Sequence, residues 1–576
     1  MTSIDYAVLI CCVLGTFSIG AVLSLRVKTT SDLFTASGQS PWWAAGLSGF
    51  MTMFSAGTFV VWGGIAYRLG IVAILINFCY GISAILVGYF VAGRWKRLGI
   101  RTPAQYVTLR FGTTALHFYT WTMMAYRLIG VAVALYSLAV LISALMPLPP
   151  ENMLRDPTTG NIAIIWGIVL FGGLVVIYTM LGGLWGVLMT DVFQFIILNT
   201  ALIFTIPLIF ADPAVGGLSG LIENAPIGFF SPTADKYTWY FLAGWCAIHF
   251  FMVGAEWAFV QRFLCVKSEI AARKSCYLFG VLYIISPILW LTPPLLYRLI
   301  EPIPPNATDS EIMLLAENAY VRACQHVLPV GMVGMMVAAM CSATASMISS
   351  QLNVFAGVLT EDIYRNRFPK SNETRLLWVG RSITLLLGIV LIGLALLVSN
   401  LGGAEKVIVT VTSLMATALL APSLWGLFSR SLKSWVMWLT VLPTFVAGLI
   451  VKFVLQDRLV SWGSLPDLFV GVILPLGILA IASRLSRTEA PGWAKLEKLS
   501  TNASPTNPIS ERRDGSSDAL PYFVISSGLL CCGFGMGVVV LANRTHSVTL
   551  MAYAFTLLAL AAVVGGVAWR EKRHSN

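Results

Sequence analysis

Apolar runs bounded by short polar stretches recur along the whole chain. They lie near residues 5–26, 42–67, 71–93, 116–146, 161–181, 187–210, 238–260, 276–297, 328–356, 378–399, 405–429, 433–454, 465–484, 521–541 and 547–569. About twenty apolar residues cross a hydrocarbon core as a helix, so the pattern predicts about 15 transmembrane helices. Two of the runs look interrupted. Ser55, Gly57 and Thr58 fall inside the second, and Gly254 and Glu256 inside the seventh. Small and polar residues weaken a helix, and unwound backbone at membrane depth is tolerated only beside a cavity. The second run enters from the side opposite to the seventh, so runs 2–6 (about 42–210) and 7–11 (about 238–429) form two five-helix units of opposite orientation, each opening on a broken helix. Such an inverted repeat places a binding site at the midplane, where the broken helices meet.

The ninth run carries a polar stripe. On a helix, Ser342, Ser346, Ser349, Ser350 and Asn353 share one face. Hydroxyls in a bilayer need helix partners, water or a cation, so the stripe is either a close-packing surface of small residues or an ion site. Three ionisable residues inside the runs bear on that choice: Asp191 in the sixth, Arg127 in the fourth and Glu256 in the seventh. Intramembrane charges are costly and mark functional sites by default. Asp191 also reads as a carboxylate capping a helix start, close after the Gly182–Gly183 turn. Arg127 reads either as a fork for an anionic solute or as the ion-pair partner of Glu256; unpaired, Glu256 becomes a proton-coupling group. Ser55 and Thr58, at the break of the second run, are neutral solute contacts.

Composition fixes the class. Of 576 residues, 57% are hydrophobic and 11% charged, with a mean hydropathy of +0.81, which excludes a soluble protein. The net charge of +11 does not indicate nucleic acid, because the basic residues sit in short loops: Arg94, Lys96, Arg97 and Arg101; Arg262 and Lys267; Arg365, Arg367 and Lys370. These loops alternate with loops poor in Lys and Arg, which places the N-terminus outside and the C-terminus in the cytoplasm. The ten cysteines follow no disulfide or metal spacing; only Cys324 falls in a loop expected outside. The opening MTSIDY lacks a basic segment before its apolar run, so that run reads as a retained helix. Residues 485–520, rich in Ser, Pro and charge, read as a flexible cytoplasmic linker between a 1–484 transporter bundle and an added hairpin with a short tail at 521–576. No catalytic constellation or phosphate-cradling loop appears, so the chain is not expected to be an enzyme or to hold a cofactor.

Several motifs resemble those of the sodium:solute symporters. Residues 182–194, GGLWGVLMTDVFQ, are similar to that family's GGxxGVxxTDxxQ signature. In the same order stand PWWAAGLSGFMTMFSAGTF, TPAQYVTLRFG, QRFLCVKS and SSQLNVFAGVLTEDIY. The resemblance covers roughly residues 5–484 and implies a leucine-transporter-like core working by alternating access. It also implies a sodium site made by the carbonyls of Met51, Phe54 and Ala343 with two hydroxyls. Ser346 matches the first hydroxyl; Met347 stands at the second and offers no oxygen. A further sodium site of some members matches Ser346, Ser349, Ser350 and Asp191, all oxygen-bearing, and Glu256 falls where sugar-carrying members have a polar solute contact.

The expected function is therefore secondary active transport: symport of a small polar, carboxylate-bearing solute with sodium as coupling ion, in the plasma membrane (the inner membrane in a bacterium). Its partners are the solute, sodium and the bilayer. Met347 and Glu256 keep open a proton-coupled or uncoupled carrier of the same fold, and the extra hairpin keeps open a membrane solute sensor.

Overall fold

In a computed structural model the chain is all-helical. The structure describes residues 2–24, 40–401, 404–455, 458, 465–486, 488–502, 520–542 and 547–575. Its helices are α1 (Ser3–Ser24), α2 (Trp42–Met53), α3 (Gly63–Leu69), α4 (Val72–Val87), α5 (Gly93–Arg97), α6 (Thr113–Leu145), α7 (Ile164–Phe210), α8 (Trp239–Ala255), α9 (Trp257–Leu264) and α10 (Glu269–Trp290). The second half adds α11 (Asp309–Val327), α12 (Met332–Val358), α13 (Glu373–Leu397), α14 (Ala404–Trp425), α15 (Ser434–Leu449), α16 (Leu474–Leu485), α17 (Pro491–Asn502), α18 (Leu520–Ala542) and α19 (Ser547–Ser575). Among the described residues, ten helical stretches are long and apolar enough to cross a membrane, or up to twelve with the two bent pairs counted as spans. Three further apolar helices, Ser3–Thr16, Ile164–Met180 and Phe469–Leu485, are shorter, at positions of the remaining expected spans.

Both expected breaks are present. α2 stops at Phe54 (φ −91°, ψ 133°), and the chain resumes through a π-helical turn, Thr58–Trp62, into α3 after a 62° bend. α8 stops at Glu256 (φ −68°, ψ 135°), and α9 follows after a 50° bend. The signature glycines produce a third device. Spans 5 and 6 are two helices that meet within α7 without a polar loop, at a sharp kink on Gly183 (φ 59°, ψ −169°). That backbone region is essentially closed to residues with a Cβ, so Gly183→Ala is expected to cost about 1–3 kcal/mol, read as a lower melting temperature in detergent.

Helix starts follow local chemistry. Thr102, Thr238, Ser268 and Asn372 each accept a backbone N–H two or three residues on, and Thr308 and Glu311 form a capping box. α4 and α10 cross at two glycines: a Cβ on Gly81 would lie 2.8 Å from the Gly280 carbonyl oxygen, and one on Gly280 would lie 2.9 Å from that of Gly81. α12 runs through the centre, with every residue from Val337 to Asn353 buried. Its start is capped from another helix, because Asp5 of α1 accepts from the N–H groups of Gly331 (2.8 Å) and Gly334 (3.1 Å). α18 pairs with α19 and packs on α7, where Gly528 makes room for the ring of Phe193.

Three expectations change. The 485–520 stretch is not all linker: residues 491–502 form α17, which lies on Arg110, and a Cβ on Gly492 would be 2.1 Å from the Arg110 carbonyl oxygen. Residues 503–519 lie outside the described ones. Arg262, counted above as a loop charge, is 1% exposed, and Arg110, at the end of TPAQYVTLRFG, is 2% exposed and donates to the carbonyls of Gly426 and Ser429. Cys324 is buried within α11 rather than placed in a loop.

Candidate functional site

The end of α2, the middle of α7, α9 and α12 converge on Asp191, which is fully buried. Ser346 of α12 donates to its Oδ1 and Ser48 of α2 to its Oδ2, both at 2.5 Å. The guanidinium of Arg262, at the end of α9, lies beside them. Its Nη2 donates to Ser350 Oγ at 2.6 Å and to Ser48 Oγ at 3.1 Å, and stands 4.0 Å from Asp191 Oδ2. Arg262 reaches this position by turning back along its own helix, where Nη1 donates to the Ala258 carbonyl at 2.9 Å. Thr52 Oγ1 stands 3.3 Å from Ser350 Oγ, and Ser349 Oγ donates to the Ser346 carbonyl. One carboxylate and several hydroxyls thus converge in a dry region, a donor set suited to a hard monovalent cation.

The structure therefore brings together Asp191, Ser346 and Ser350, with Ser349 one bond away. It does not present Asp191 as a cap at a helix start. Three members of the cluster escaped the sequence reading. Ser48 and Thr52 stand one turn apart on α2, a spacing visible in LSGFMTM, and Arg262 sits inside the QRFLCVKS motif. The elements carrying Met51, Phe54 and Ala343 abut at the break of α2, where the Ala56 N–H donates to Thr344 Oγ1 at 2.9 Å. Met347, by contrast, lines a neighbouring cavity.

That cavity, counting its open mouth, encloses about 620 Å³ not filled by protein atoms. Ser55, Gly57 and Thr58 from the break of α2 line one wall, and Thr412 adds a hydroxyl. Trp62, Tyr80, Trp245 and His249 form an aromatic wall, with His249 3.8 Å from Tyr80 and 4.7 Å from Trp245 between ring centroids. Among the described residues, Arg127 is the one charged residue lining it. Its Nε lies 2.8 Å from Glu256 Oε1, which also accepts from Gln351 Nε2 at 2.6 Å. No acceptor meets Arg127 Nη2 in hydrogen-bonding geometry, although the Tyr126 hydroxyl lies beside it. Glu256 is 1% exposed and does not line the cavity, so the ion-pair alternative holds and the reading of an unpaired Glu256 is corrected. Gln351, Trp62, Tyr80 and Trp245 were not singled out from the sequence, because aromatic residues in apolar runs look like packing.

Two turns along from Val61, which lines the cavity, Arg68 donates to Glu405 Oε2 at 2.8 Å. Lys236 (2.8 Å) and the Tyr237 hydroxyl (3.0 Å) donate to Oε1 of the same carboxylate. This network ties α3, the start of α14 and the segment before α8 together. On the other side the Trp95 indole N–H donates to the Gly254 carbonyl at 2.7 Å, tying the span of α4 and α5 to the break between α8 and α9.

The family model for sodium:solute symporters matches residues 33–435, well over half of the chain. The chain belongs to the sodium:solute symporter family. This symporter is 27% identical over 449 residues to a sodium/glucose cotransporter of Vibrio parahaemolyticus, covering 74% of this chain and 80% of that one. It is 26% identical over 528 residues to the sodium/sialic acid symporter NanT of Aliivibrio fischeri, covering 87% and 98%. Among solved structures it is similar to the substrate-bound, outward-open state of a Na+-coupled sialic acid symporter, with a TM-score of 0.68 and 23% identity over 84% of this chain and 98% of that one. The fold of the symporter is accordingly leucine-transporter-like, in an all-helical, multi-pass membrane protein. It is a sodium-coupled solute symporter, not an enzyme.

Proposed function

We propose that the symporter carries a small, carboxylate-bearing polar solute in the aromatic cavity, driven by sodium bound among Asp191, Ser346, Ser349 and Ser350. The observation that carries this reading is Arg127: among the described residues it is the one charged residue lining the cavity, and its Nη2 meets no acceptor in hydrogen-bonding geometry there. A solute carboxylate supplies that acceptor, and charge-assisted bonds to guanidinium are the strong ones. Glu256 and Gln351 hold the guanidinium in place from behind. Ser55 and Thr58 meet the polar groups of the solute, while Trp62, Tyr80 and Trp245 cover its apolar surface. That one similar protein is a sialic acid symporter fits an acidic solute.

Sodium and Arg262 compete for the same oxygens, because the guanidinium already holds Ser350 and Ser48. An ion entering beside Asp191 displaces it and draws α2, α7 and α12 together; returning, it expels the ion. The Met51, Phe54, Ala343 and Ser346 set supplies a second, weaker position, since Met347 leaves it one oxygen short. Each positive charge carried inward across 100 mV contributes about 2.3 kcal/mol to uptake. The Arg68–Glu405–Lys236 network is the outer closure, with the N-terminus outside, the C-terminus in the cytoplasm of a plasma-membrane protein and fifteen spans in all.

A thermal-shift panel of small carboxylates and their neutral amides, in sodium and in choline, tests the solute class. A carboxylate at about a hundred times its dissociation constant should add about 2.7 kcal/mol, a shift of a few degrees, in sodium only. Equal stabilisation by acids and amides, or by neutral sugars alone, would overturn the assignment of Arg127.

A further inference from the structure

At the far end of the span that starts at Val72, away from the transport cavity, a second cavity of about 670 Å³ opens between α5, the end of α14 and α17. Arg94 and Arg97 line one side, and Trp493 and Glu497 of α17 the other. Their charges do not balance. Arg97 is held by Glu269 through two bonds of 2.8 and 2.7 Å, and Glu497 lies 4.0 Å from Arg430. Arg94 lies over the Phe428 ring, 4.1 Å from its centroid, and meets no carboxylate among the described residues. The Trp493 indole N–H is buried without a partner. A cation and an N–H donor thus line the cavity without a hydrogen-bonded acceptor among the described residues, and the one carboxylate lining it, Glu497, lies 4.0 Å from Arg430. The remaining wall is apolar, made by Leu98, Leu427 and Leu496.

The cavity also continues a lipid-facing stripe. Ile82, Leu86 and Phe90 are 46%, 39% and 49% exposed and recur at every fourth residue, and the next position in the series is Arg94. An occupant needs a negative headgroup at the arginine and a hydrocarbon chain along the stripe. A soluble anion satisfies only the first.

We propose that this cavity binds the phosphate of an anionic phospholipid, with Arg94 and the Trp493 N–H as its donors and an acyl chain along Ile82, Leu86 and Phe90. The lipid bridges α17 to α5 and holds α17 on the helix bundle. Basic residues at the bilayer surface gain from anionic lipid in the same way, and the guanidinium suits a phosphate oxygen.

Native mass spectrometry of the full-length protein tests the site, using dioleoyl-phosphatidylglycerol against dioleoyl-phosphatidylcholine, with inorganic phosphate followed by thermal shift. The wild type should retain phosphatidylglycerol in preference to phosphatidylcholine, and Arg94→Gln should weaken that binding about five- to ten-fold, the effect of one charge. Trp493→Phe, which keeps the ring and removes the donor, should weaken it about three-fold, a lost neutral hydrogen bond, and stands in if the arginine variant does not fold. Arg101→Gln, an exposed arginine outside the cavity, should leave binding unchanged. Equal retention of the two lipids, an equal loss at Arg101, or unchanged binding in both cavity variants overturns the proposal. Stabilisation by inorganic phosphate as large as that by the lipid overturns it in favour of a soluble anion.

Discussion

Asp191→Asn is expected to abolish sodium-driven uptake and to raise the half-saturating sodium concentration by more than about ten-fold. An ion about 4 Å from a unit charge gains about 4 kcal/mol at an effective dielectric constant of 20, and 1.4 kcal/mol already corresponds to ten-fold. The substitution has a second effect that must be separated from the first. It strips the buried guanidinium of Arg262 of the carboxylate 4.0 Å away, and breaking such a pair costs about 3–5 kcal/mol. The double variant Asp191→Asn/Arg262→Gln removes both charges and should recover most of the melting temperature while sodium dependence stays lost. Recovery of sodium-driven uptake together with stability would mean that Asp191 matters only as the partner of Arg262.

Arg127→Gln is expected to give the second large effect, through the same logic in the transport cavity. Alone it leaves Glu256 buried with only Gln351 as a donor, at a cost of about 3–5 kcal/mol. Adding Glu256→Gln should restore the fold, because two amides can share the hydrogen bonds of the pair. Binding of the acidic solute should remain weaker by about 1.5–3 kcal/mol, the value of a charged hydrogen bond. A double variant that binds carboxylates like the wild type would reduce the pair to a brace within the bundle. Sodium binding measured in the same double variant should be little changed, since neither residue touches Asp191.

Much of this arrangement was legible in the sequence, for definite reasons. Glycines and small polar residues inside apolar runs gave away the breaks at Phe54 and Glu256, because both features weaken a helix where lipid cannot solvate the backbone. The pairing of Ser346 with Asp191 was legible through the family resemblance, and it suits a hydroxyl stripe and a lone carboxylate that both need polar company. Arg262 was not. Charge counting assigns a basic residue at the end of an apolar run to a loop, and nothing in the order of residues shows that its side chain folds back along α9 into the bundle. α17 was hidden by its polar composition, although Pro491 at its start and Trp493 and Leu496 at helical spacing carried the signal. The aromatic wall was hidden for the opposite reason: Trp62, Tyr80 and Trp245 are apolar residues among apolar residues, and only the cavity they line distinguishes them. The direct meeting of spans 5 and 6 at the Gly183 kink, without a loop, depends on a single backbone conformation, which a hydropathy pattern does not report.

Direct binding of radioactive sodium-22 to the purified protein tests the ion site most simply, comparing the wild type with Ser346→Ala and Ser342→Ala. Both serines are buried on the same face of α12, but only Ser346 donates to Asp191. Ser346→Ala should weaken sodium binding about ten-fold or more, the loss of one oxygen ligand together with its bond to the carboxylate, while Ser342→Ala should bind as the wild type does. Equal affinity in the two variants would contradict a sodium site at Asp191.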